Sequence, residues 1–306
     1  LVERAFQALG KAQESKYHFM LIALCYEAGF YDSALNLLQK LDPVKSECGQ
    51  AFYCMLLNRN DLHEQAIRAC RKARKAIKEP RYQLVIQMTQ MLSERSLGLY
   101  DQCRDTCKKI ERTADFHSLL EYGFFLRNKH IVLSFEESLP YIEQSIVFFE
   151  KREQELYAVH SRLTYLVKRA RLGFPQQSEM ELKNIAPILL HSSFERHIVY
   201  LNQASLRLLQ RNADDKTLHL LDKAYMTVTT VFDRAVVLNN KLCALIIRGD
   251  CCLEEFLPLI AELVKVVNDE PDSNLRRKVF ANIALYYKMA KDKANYEQWI
   301  AKVKQI

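Results

Sequence analysis

Glycine interrupts an otherwise helical sequence at a nearly regular interval. Four of the seven glycines in this chain of 306 residues stand between two helical patterns, at Gly29, Gly98, Gly173 and Gly249, with separations of 69, 75 and 76 residues. Glycine inside a helix costs about 1 kcal/mol relative to alanine, so these positions predict breaks between helices. Each interval is long enough for two helical hairpins of about 35–38 residues.

Turn-forming segments divide these intervals again. Residues 58–61, 134–138 and 211–215 each precede a new helical pattern. Seven glycines and seven prolines are too few for the turns of a β-sandwich or an α/β fold of this length, and helix formers dominate the composition. We therefore expect an all-α fold of about eight hairpins, or sixteen helices. No shift in composition marks a second domain, so a single domain is predicted over residues 1–306.

Small residues follow the turns at a fixed distance. Ala34, Ala66, Cys103 and Ser178 each lie five residues beyond a turn. A small side chain at this point lets the second helix of a hairpin approach the first closely. Two helix starts are also predicted: residues 61–64, DLHE, match a capping box, and Pro80 suits the first position of a helix.

This pattern resembles the tetratricopeptide repeat. In the first hairpin, Leu21 and Cys25 stand at the large first-helix positions, Ala34 at the small second-helix position, and Leu38 and Leu41 at the packing positions. Residues 97–110 match equally well, and residues 282–303 match on their first helix. The resemblance implies a right-handed superhelix of about eight such hairpins, with a long concave surface open to a partner.

Residues 68–81, RACRKARKAIKEPR, form the strongest charge cluster, with seven basic residues and one acidic residue. Helical spacing places the cations Arg68, Arg71, Lys72 and Lys75 on one face, and Ala66, Cys70, Ala73 and Ile77 on the other. The interpretation we favour is the solvated face of a second helix. Contact with an acidic partner or with nucleic acid is the alternative, and a net charge of +7 is too mild to decide between them.

The nine cysteines include no CxxC pair and are interpreted as reduced thiols in a cytoplasmic protein. Cys103 and Cys107 share a helix face and could hold a metal with two further ligands, but both fall at packing positions, so we expect core packing and no metal or other cofactor. Sequence signatures of catalysis such as GxxxxGK[ST], HExxH and GxSxG do not occur, so no enzymatic activity is predicted for this segment. No apolar run is long enough to span a membrane.

Asparagine recurs inside three successive predicted first helices, although it is a poor residue for a helix interior. In tetratricopeptide proteins with an Asn-Leu-Ala/Gly-x-x-Tyr first helix, such asparagines line the concave groove and bind the backbone of an extended ligand. Residues 282–287, NIALYY, look like that motif, whereas Arg207 stands where the helix of Asn202 would need tyrosine. Hydrogen bonding between repeats is the alternative. The candidate ligand-binding residues are Asn202, Gln203, Asn239, Asn240 and Asn282.

These observations favour a protein-recognition module that binds a protein or peptide along its first-helix face. The degenerate repeats, and a start in mid-chain, are similar to the C-terminal sensor arms of STAND-type NTPases, whose repeat arms hold a signalling ligand or a phage protein. A free-standing scaffold or adaptor is the alternative within the binding class. From another class, an RNA-binding helical-repeat protein fits the recurring asparagines and the basic helix loosely.

Overall fold

The computed structural model describes residues 15–27, 30–41, 46–192, 196–228, 230–249, 253–268 and 273–306. These ranges contain sixteen α-helices, two short 3-10 helices and no strand, which confirms the predicted all-α class and helix number. The helices are α1 Ser15–Glu27, α2 Tyr31–Lys40, α3 Glu47–Arg59, α4 His63–Ala76, α5 Pro80–Ser96, α6 Tyr100–Arg112, α7 Leu120–Asn128, α8 Phe135–Glu150, α9 Glu155–Arg171, α10 Pro175–Ser192, α11 Arg196–Leu209, α12 Asp215–Thr227, α13 Val231–Arg248, α14 Leu253–Asn268, α15 Ser273–Met289 and α16 Lys293–Gln305.

The helices pack in sequence as antiparallel neighbours. Each odd-numbered helix is the first of a hairpin, and pairs such as α5–α6, α11–α12 and α15–α16 pack against each other. First helices of successive hairpins are also in contact, α3 with α5 and, further along, α9 with α11, α11 with α13 and α13 with α15. This arrangement is consistent with a helical-repeat protein, whereas the right-handed superhelix stays a prediction.

The chain divides into two compact units. Unit 1 comprises residues 1–134 and 147–149, and unit 2 comprises residues 135–146 and 150–306. In unit 1 the buried side chains of Leu84, Met91, Cys103 and Phe125 form part of one core cluster. In unit 2 the largest cluster is built from the last four helices and includes Phe256, whose ring stacks on that of Tyr286 with centroids 4.1 Å apart. The single domain over residues 1–306 stays a prediction.

A Schellman motif closes the hairpin turn between α5 and α6. The N–H of Leu99 donates to the carbonyl of Glu94 (2.8 Å), and the N–H of Gly98 donates to that of Arg95 (3.0 Å). Gly98 has the left-handed backbone angle, φ +73°, that this motif requires. The two bonds satisfy carbonyls at the end of α5, and α6 begins immediately after the turn. The predicted role of the glycine is therefore confirmed here.

The other turns repeat this geometry with different residues. Gly173 and Gly249 also have positive φ, whereas Gly29 lies outside the described residues. Asp61, Arg211 and Lys291 adopt φ of 55° to 58° in the corresponding turns, although a side chain makes this conformation costly. The N–H of Leu62 and the N–H of Asn212 each donate to the carbonyl five residues earlier, as Leu99 does.

The small residues after the turns lie at the predicted close contacts. Ala34, Ala66, Cys103 and Ser178 are completely buried. The thiol of Cys103 donates to the carbonyl of Met91 on the preceding helix, with 3.3 Å between sulfur and oxygen. The second helix thus approaches the backbone of the first closely enough for a side chain to bond it.

Two local predictions were wrong and one was confirmed. Asp61 does not cap α4: it occupies the left-handed turn position, and Leu62 precedes the helix without any side-chain cap. The turn predicted over residues 134–138 belongs mostly to α8, which begins at Phe135. Pro80 is at the start of α5, as predicted. None of the helices within the described ranges is long and apolar enough to cross a membrane.

Candidate functional site

The predicted amides lie on the first helices of three successive hairpins in unit 2. We call them the amide row: Asn202 and Gln203 on α11, Asn239 and Asn240 on α13, and Asn282 on α15. All five side chains are half-buried. α11 contacts α13 and α13 contacts α15, so the structure brings the three helices that carry these amides side by side.

Hydrogen bonds join the amide row across neighbouring hairpins. Asn240 Nδ2 donates to Ser205 Oγ on α11 at 3.1 Å. Asn282 Nδ2 donates to Asn239 Oδ1 on α13 at 2.9 Å, and it lies 3.4 Å from Cys243 Sγ. The interpretation as bonding between repeats is therefore confirmed for Asn239, Asn240 and Asn282. Ligand binding by these residues stays a prediction, because an amide has two donor hydrogens and an acceptor oxygen and one bond does not exhaust them.

Asn202 and Gln203 differ from the other members of the row. Within the described ranges neither side chain makes a hydrogen bond, although both are half-buried. Their polar groups are therefore the ones in the row that water or a ligand would satisfy.

Exposed apolar side chains accompany the amides on the same helix faces. Phe232 lies two turns before Asn239, and 40% of its surface is exposed. Leu285, one turn after Asn282, is 43% exposed. Lys278, one turn before Asn282, is also exposed, so the surface around the amides mixes apolar and charged side chains.

Arg207 stands where the asparagine motif has tyrosine, and its buried side chain forms a network of hydrogen bonds and ion pairs. Its side chain is 9% exposed and donates to Thr217 Oγ1 at 2.9 Å, to Asp214 Oδ2 at 2.6 Å and to Glu179 Oε1 at 3.3 Å. Burial opposes ionisation of Glu179, but the Gln210 hydrogen bond and the charges of Lys183 and Arg207 outweigh it and lower the pKa of Glu179. This network ties α10, α11 and α12 together, so the departure from the motif has a structural reason.

The basic helix of unit 1 is amphipathic as predicted. Arg68 and Lys72 are exposed, whereas Ala66, Cys70 and Ile77 on the opposite face are buried. Arg68 pairs with Glu64 one turn earlier at 3.6 Å. All four cations of the predicted face, including Arg71 and Lys75, are exposed, which confirms the solvated-face interpretation. Arg71, Arg74 and Lys75 also border a cleft.

This basic cleft lies between the second helices α4 and α6 and has a volume of about 660 Å³. Arg71, Arg74 and Lys75 border it from α4, and Lys109 borders it from α6. Arg71 Nη2 also donates to Gln102 Oε1 on α6 at 3.2 Å, which links the two helices.

The floor of the basic cleft is a hydrogen-bonded polar group beneath the cations. Glu94 on α5 is only 1% exposed. Its Oε1 accepts from Gln90 Nε2 at 2.6 Å, and its Oε2 accepts from Thr106 Oγ1 on α6 at 2.8 Å. Both oxygens of the carboxylate are thereby fixed in position.

The sequence analysis did not identify this floor, although a signal was present. Gln87, Gln90 and Glu94 recur with spacings of three and four residues, which places three polar residues on one face of α5, and all three are buried. Buried glutamine and glutamate at helical spacing are unusual enough to mark a polar network.

Cys103 and Cys107, the pair considered as metal ligands, are packed in the hydrophobic core. Both thiols belong to a core cluster of unit 1, as predicted. Burial raises the pKa of the Cys103 thiol to about 12 and that of the Cys107 thiol to about 11, so both remain protonated at neutral pH. Across the ranges described, no three His, Cys, Asp or Glu residues are grouped as metal ligands.

Comparison of the chain with known protein families and with curated proteins gives no match. Its function therefore has to be argued from the amide row and the basic cleft.

Proposed function

We propose that this chain is a protein-recognition module that binds an extended polypeptide along its first helices. The observation that carries the proposal is the amide row, in which half-buried amides on α11, α13 and α15 are accompanied by the exposed side chains of Phe232 on α13 and Leu285 on α15. In this proposal the row lies on the concave face of the superhelix, and the module has no catalytic activity of its own.

The chemistry of the row suits a peptide backbone. An amide side chain offers both a donor and an acceptor, which are the two groups that a peptide bond presents. The bonds from Asn240 to Ser205 and from Asn282 to Asn239 hold these amides in fixed orientations, so less side-chain entropy is lost when a ligand binds. Exposed apolar side chains beside them would receive alternate side chains of the ligand.

The mixed character of the row favours protein over RNA. Single-stranded RNA is bound by a positively charged groove with aromatic stacking platforms. Phe232 is the one aromatic residue that we place beside the row. The exposed side chains one turn from Asn282 are the aliphatic Leu285 and the cation Lys278. The comparison with the sensor arms of STAND-type NTPases stays a prediction from resemblance, and an NTPase domain elsewhere in the parent protein would support it.

The test uses peptides selected from a random display library against the whole chain. We expect Asn202→Ala to weaken a selected peptide about tenfold, because one hydrogen bond to a desolvated partner group is lost. The melting temperature should stay unchanged, since Asn202 bonds no residue in the described ranges and alanine is the better helix former. Asn282→Ala should lower both affinity and melting temperature, because it removes the bond to Asn239.

Asn184→Ala provides the matched control, because Asn184 is exposed on α10, a second helix of the same unit. It should change neither quantity. If Asn202→Ala and Asn282→Ala both bind the selected peptides normally, the amide row is not the peptide site. Selection of a single-stranded RNA in place of peptides would favour the alternative function.

A further inference from the structure

The basic cleft contains more than a solvated helix face requires. Four cations, Arg71, Arg74, Lys75 and Lys109, meet across two second helices of unit 1. Two carboxylates, Glu94 and Asp105, also line the cleft, so its net formal charge is +2. All four cations are exposed, and the cleft that they border is open to solvent, with a volume of about 660 Å³. That volume is in the range of sites for small ligands.

The floor has fixed positions for hydrogen bonds. Glu94 is held by Gln90 and Thr106, and these three side chains are each at least nine-tenths buried. A carboxylate with two lone-pair sites on each oxygen can accept further bonds after these two. The cleft therefore combines donors on its rim with acceptors at its base.

We propose that the basic cleft binds a small phosphorylated polyol, with phosphates on the rim cations and hydroxyl groups donating to the Glu94 floor. Arginine and lysine bind phosphate by charge-assisted hydrogen bonds, and arginine can do so with two parallel bonds. The hydroxyls of a polyol supply the donors that the floor acceptors require. The proposal concerns unit 1 and does not depend on peptide binding by unit 2.

Other anions suit the cleft less well. All the side chains that line it are polar or charged, so it has no apolar pocket for the side chains of an acidic polypeptide. None of the lining residues is aromatic, so a nucleobase would find no stacking platform. A simple anion has no hydroxyl group to donate to the acceptor sites of Glu94 that Gln90 and Thr106 leave unused.

Titration calorimetry with inositol trisphosphate tests the proposal on the whole chain. The variant with Arg74→Gln, Lys75→Gln and Lys109→Gln should bind at least about tenfold more weakly than the wild type, because hydrogen bonds to charged groups are among the strong ones. The control carries Arg68→Gln and Lys72→Gln, two exposed cations of the same helix that do not line the cleft. It should change the affinity by less than about twofold if binding is local rather than a general charge effect.

Glu94→Gln separates a polyol from a simple anion by the sign of its effect. Removing the carboxylate charge should tighten binding of inorganic pyrophosphate, which has no hydroxyl donors. The same change should weaken inositol trisphosphate, because the floor loses an acceptor. Tighter binding of both probes would overturn the assignment of hydroxyl groups to the floor. The melting temperature of each variant should be measured to confirm that it folds.

Sedimentation with phosphatidylcholine vesicles, with and without phosphatidylinositol bisphosphate, distinguishes a free ligand from a lipid headgroup. Co-sedimentation that needs the phosphorylated lipid and is lost in the triple variant would support the headgroup as the source. Binding of free inositol trisphosphate alone would support a free ligand. The proposal is overturned if neither probe binds, if the triple variant and the control lose affinity equally, or if polyglutamate binds in place of both.

Discussion

The amide row of unit 2 and the basic cleft of unit 1 are both polar, but they are built in opposite ways. The row consists of half-buried amides on first helices, and three of them, Asn239, Asn240 and Asn282, take part in hydrogen bonds between hairpins. The cleft consists of long cations on second helices, which surround a buried carboxylate. First helices of successive hairpins are in contact, so short side chains are sufficient to join them. Second helices leave an opening between them, and only long side chains reach into it.

In these two regions the separation of neighbouring helices decides whether short or long polar side chains can join them. A polar residue on a first helix can satisfy itself against the next repeat. A polar residue on a second helix makes its hydrogen bonds with solvent, with a residue on a neighbouring helix, or with a ligand. The following predictions compare residues of unit 1 with residues of unit 2 that occupy similar positions.

The largest effect is expected from Arg207→Met in unit 2. This change removes a guanidinium that is 9% exposed, so Glu179 loses one of its two cations and Thr217 loses a hydrogen-bond donor. Breaking a buried pair in this way should lower the free energy of unfolding by about 3 kcal/mol. Urea unfolding followed by circular dichroism measures the change.

Arg104→Gln in unit 1 is the matched control for Arg207→Met. Arg104 pairs with Asp101 at 2.6 Å, but the two side chains are 54% and 92% exposed. An exposed pair contributes about 0.2–1 kcal/mol, so this variant should unfold almost as the wild type does. Equal losses for the two arginines would mean that the Arg207 network is no more than a surface pair.

The next effect concerns the small residues that both units place after a hairpin turn. Ala34→Leu in unit 1 and Ser178→Leu in unit 2 should each destabilise by about 1–3 kcal/mol, because both positions are fully buried at a close helix contact. Thermal unfolding of the two variants compares the units directly. A loss at one position only would show that the units close their hairpins differently.

Ser178→Ala keeps the position small and removes only the hydroxyl. Ser178 Oγ is buried and has no hydrogen-bond partner in the part of the chain described. Alanine should therefore be neutral or stabilising, since an unpaired buried hydroxyl is costly. A clear loss of stability would indicate that a water or another group satisfies the hydroxyl.

A smaller pair of effects with opposite signs is expected at the turns. Gly98 and Arg211 both have a left-handed backbone angle, φ +73° and +55°, and their turns have the same pattern of backbone hydrogen bonds. Gly98→Ala should destabilise by about 1 kcal/mol and Arg211→Gly should stabilise by a similar amount, because only glycine adopts this angle without strain. A methyl group at Gly98 would meet no atom closer than 3.9 Å, so the cost is conformational. Effects of the same sign would contradict the shared turn geometry.

The turns also show how much of the fold the sequence could predict. Glycine marks a left-handed turn by itself, so Gly98, Gly173 and Gly249 located three hairpins correctly. Asp61 and Arg211 occupy the same conformation within the predicted turn segments 58–61 and 211–215, but these segments do not indicate which residue takes the left-handed angle. A capping pattern at Asp61 therefore predicts a helix cap at the residue that in fact forms the turn.

The candidate sites were predictable to different degrees. The amide row was predictable because asparagine is unfavourable in a helix interior, so its recurrence at repeat spacing indicates a role. The bonds within the row were not predictable, because the distance between first helices cannot be read from one sequence. The basic cleft was missed because it joins α4, α5 and α6, whose charged and polar residues are up to 38 positions apart. Charge on one helix was visible, but convergence of three helices was not.

The smallest predicted effect is a pH dependence from His63, which is buried at the turn of unit 1 beside the left-handed Asp61. Burial lowers the pKa of His63 below its ordinary value of 6.5, although the Asp61 carboxylate lies 3.8 Å from Nε2. The unfolded chain therefore binds a proton first as the pH falls, so stability should decrease as the pH drops below about 6.5 and continue to decrease until the folded pKa is reached. His63→Gln removes this contribution and leaves every other titrating group in place. Urea unfolding of both proteins at about pH 7.5 and about pH 5.5 should show a smaller loss of stability for the variant. An identical loss in the two proteins would mean that His63 is hydrated and titrates as it does in the unfolded chain.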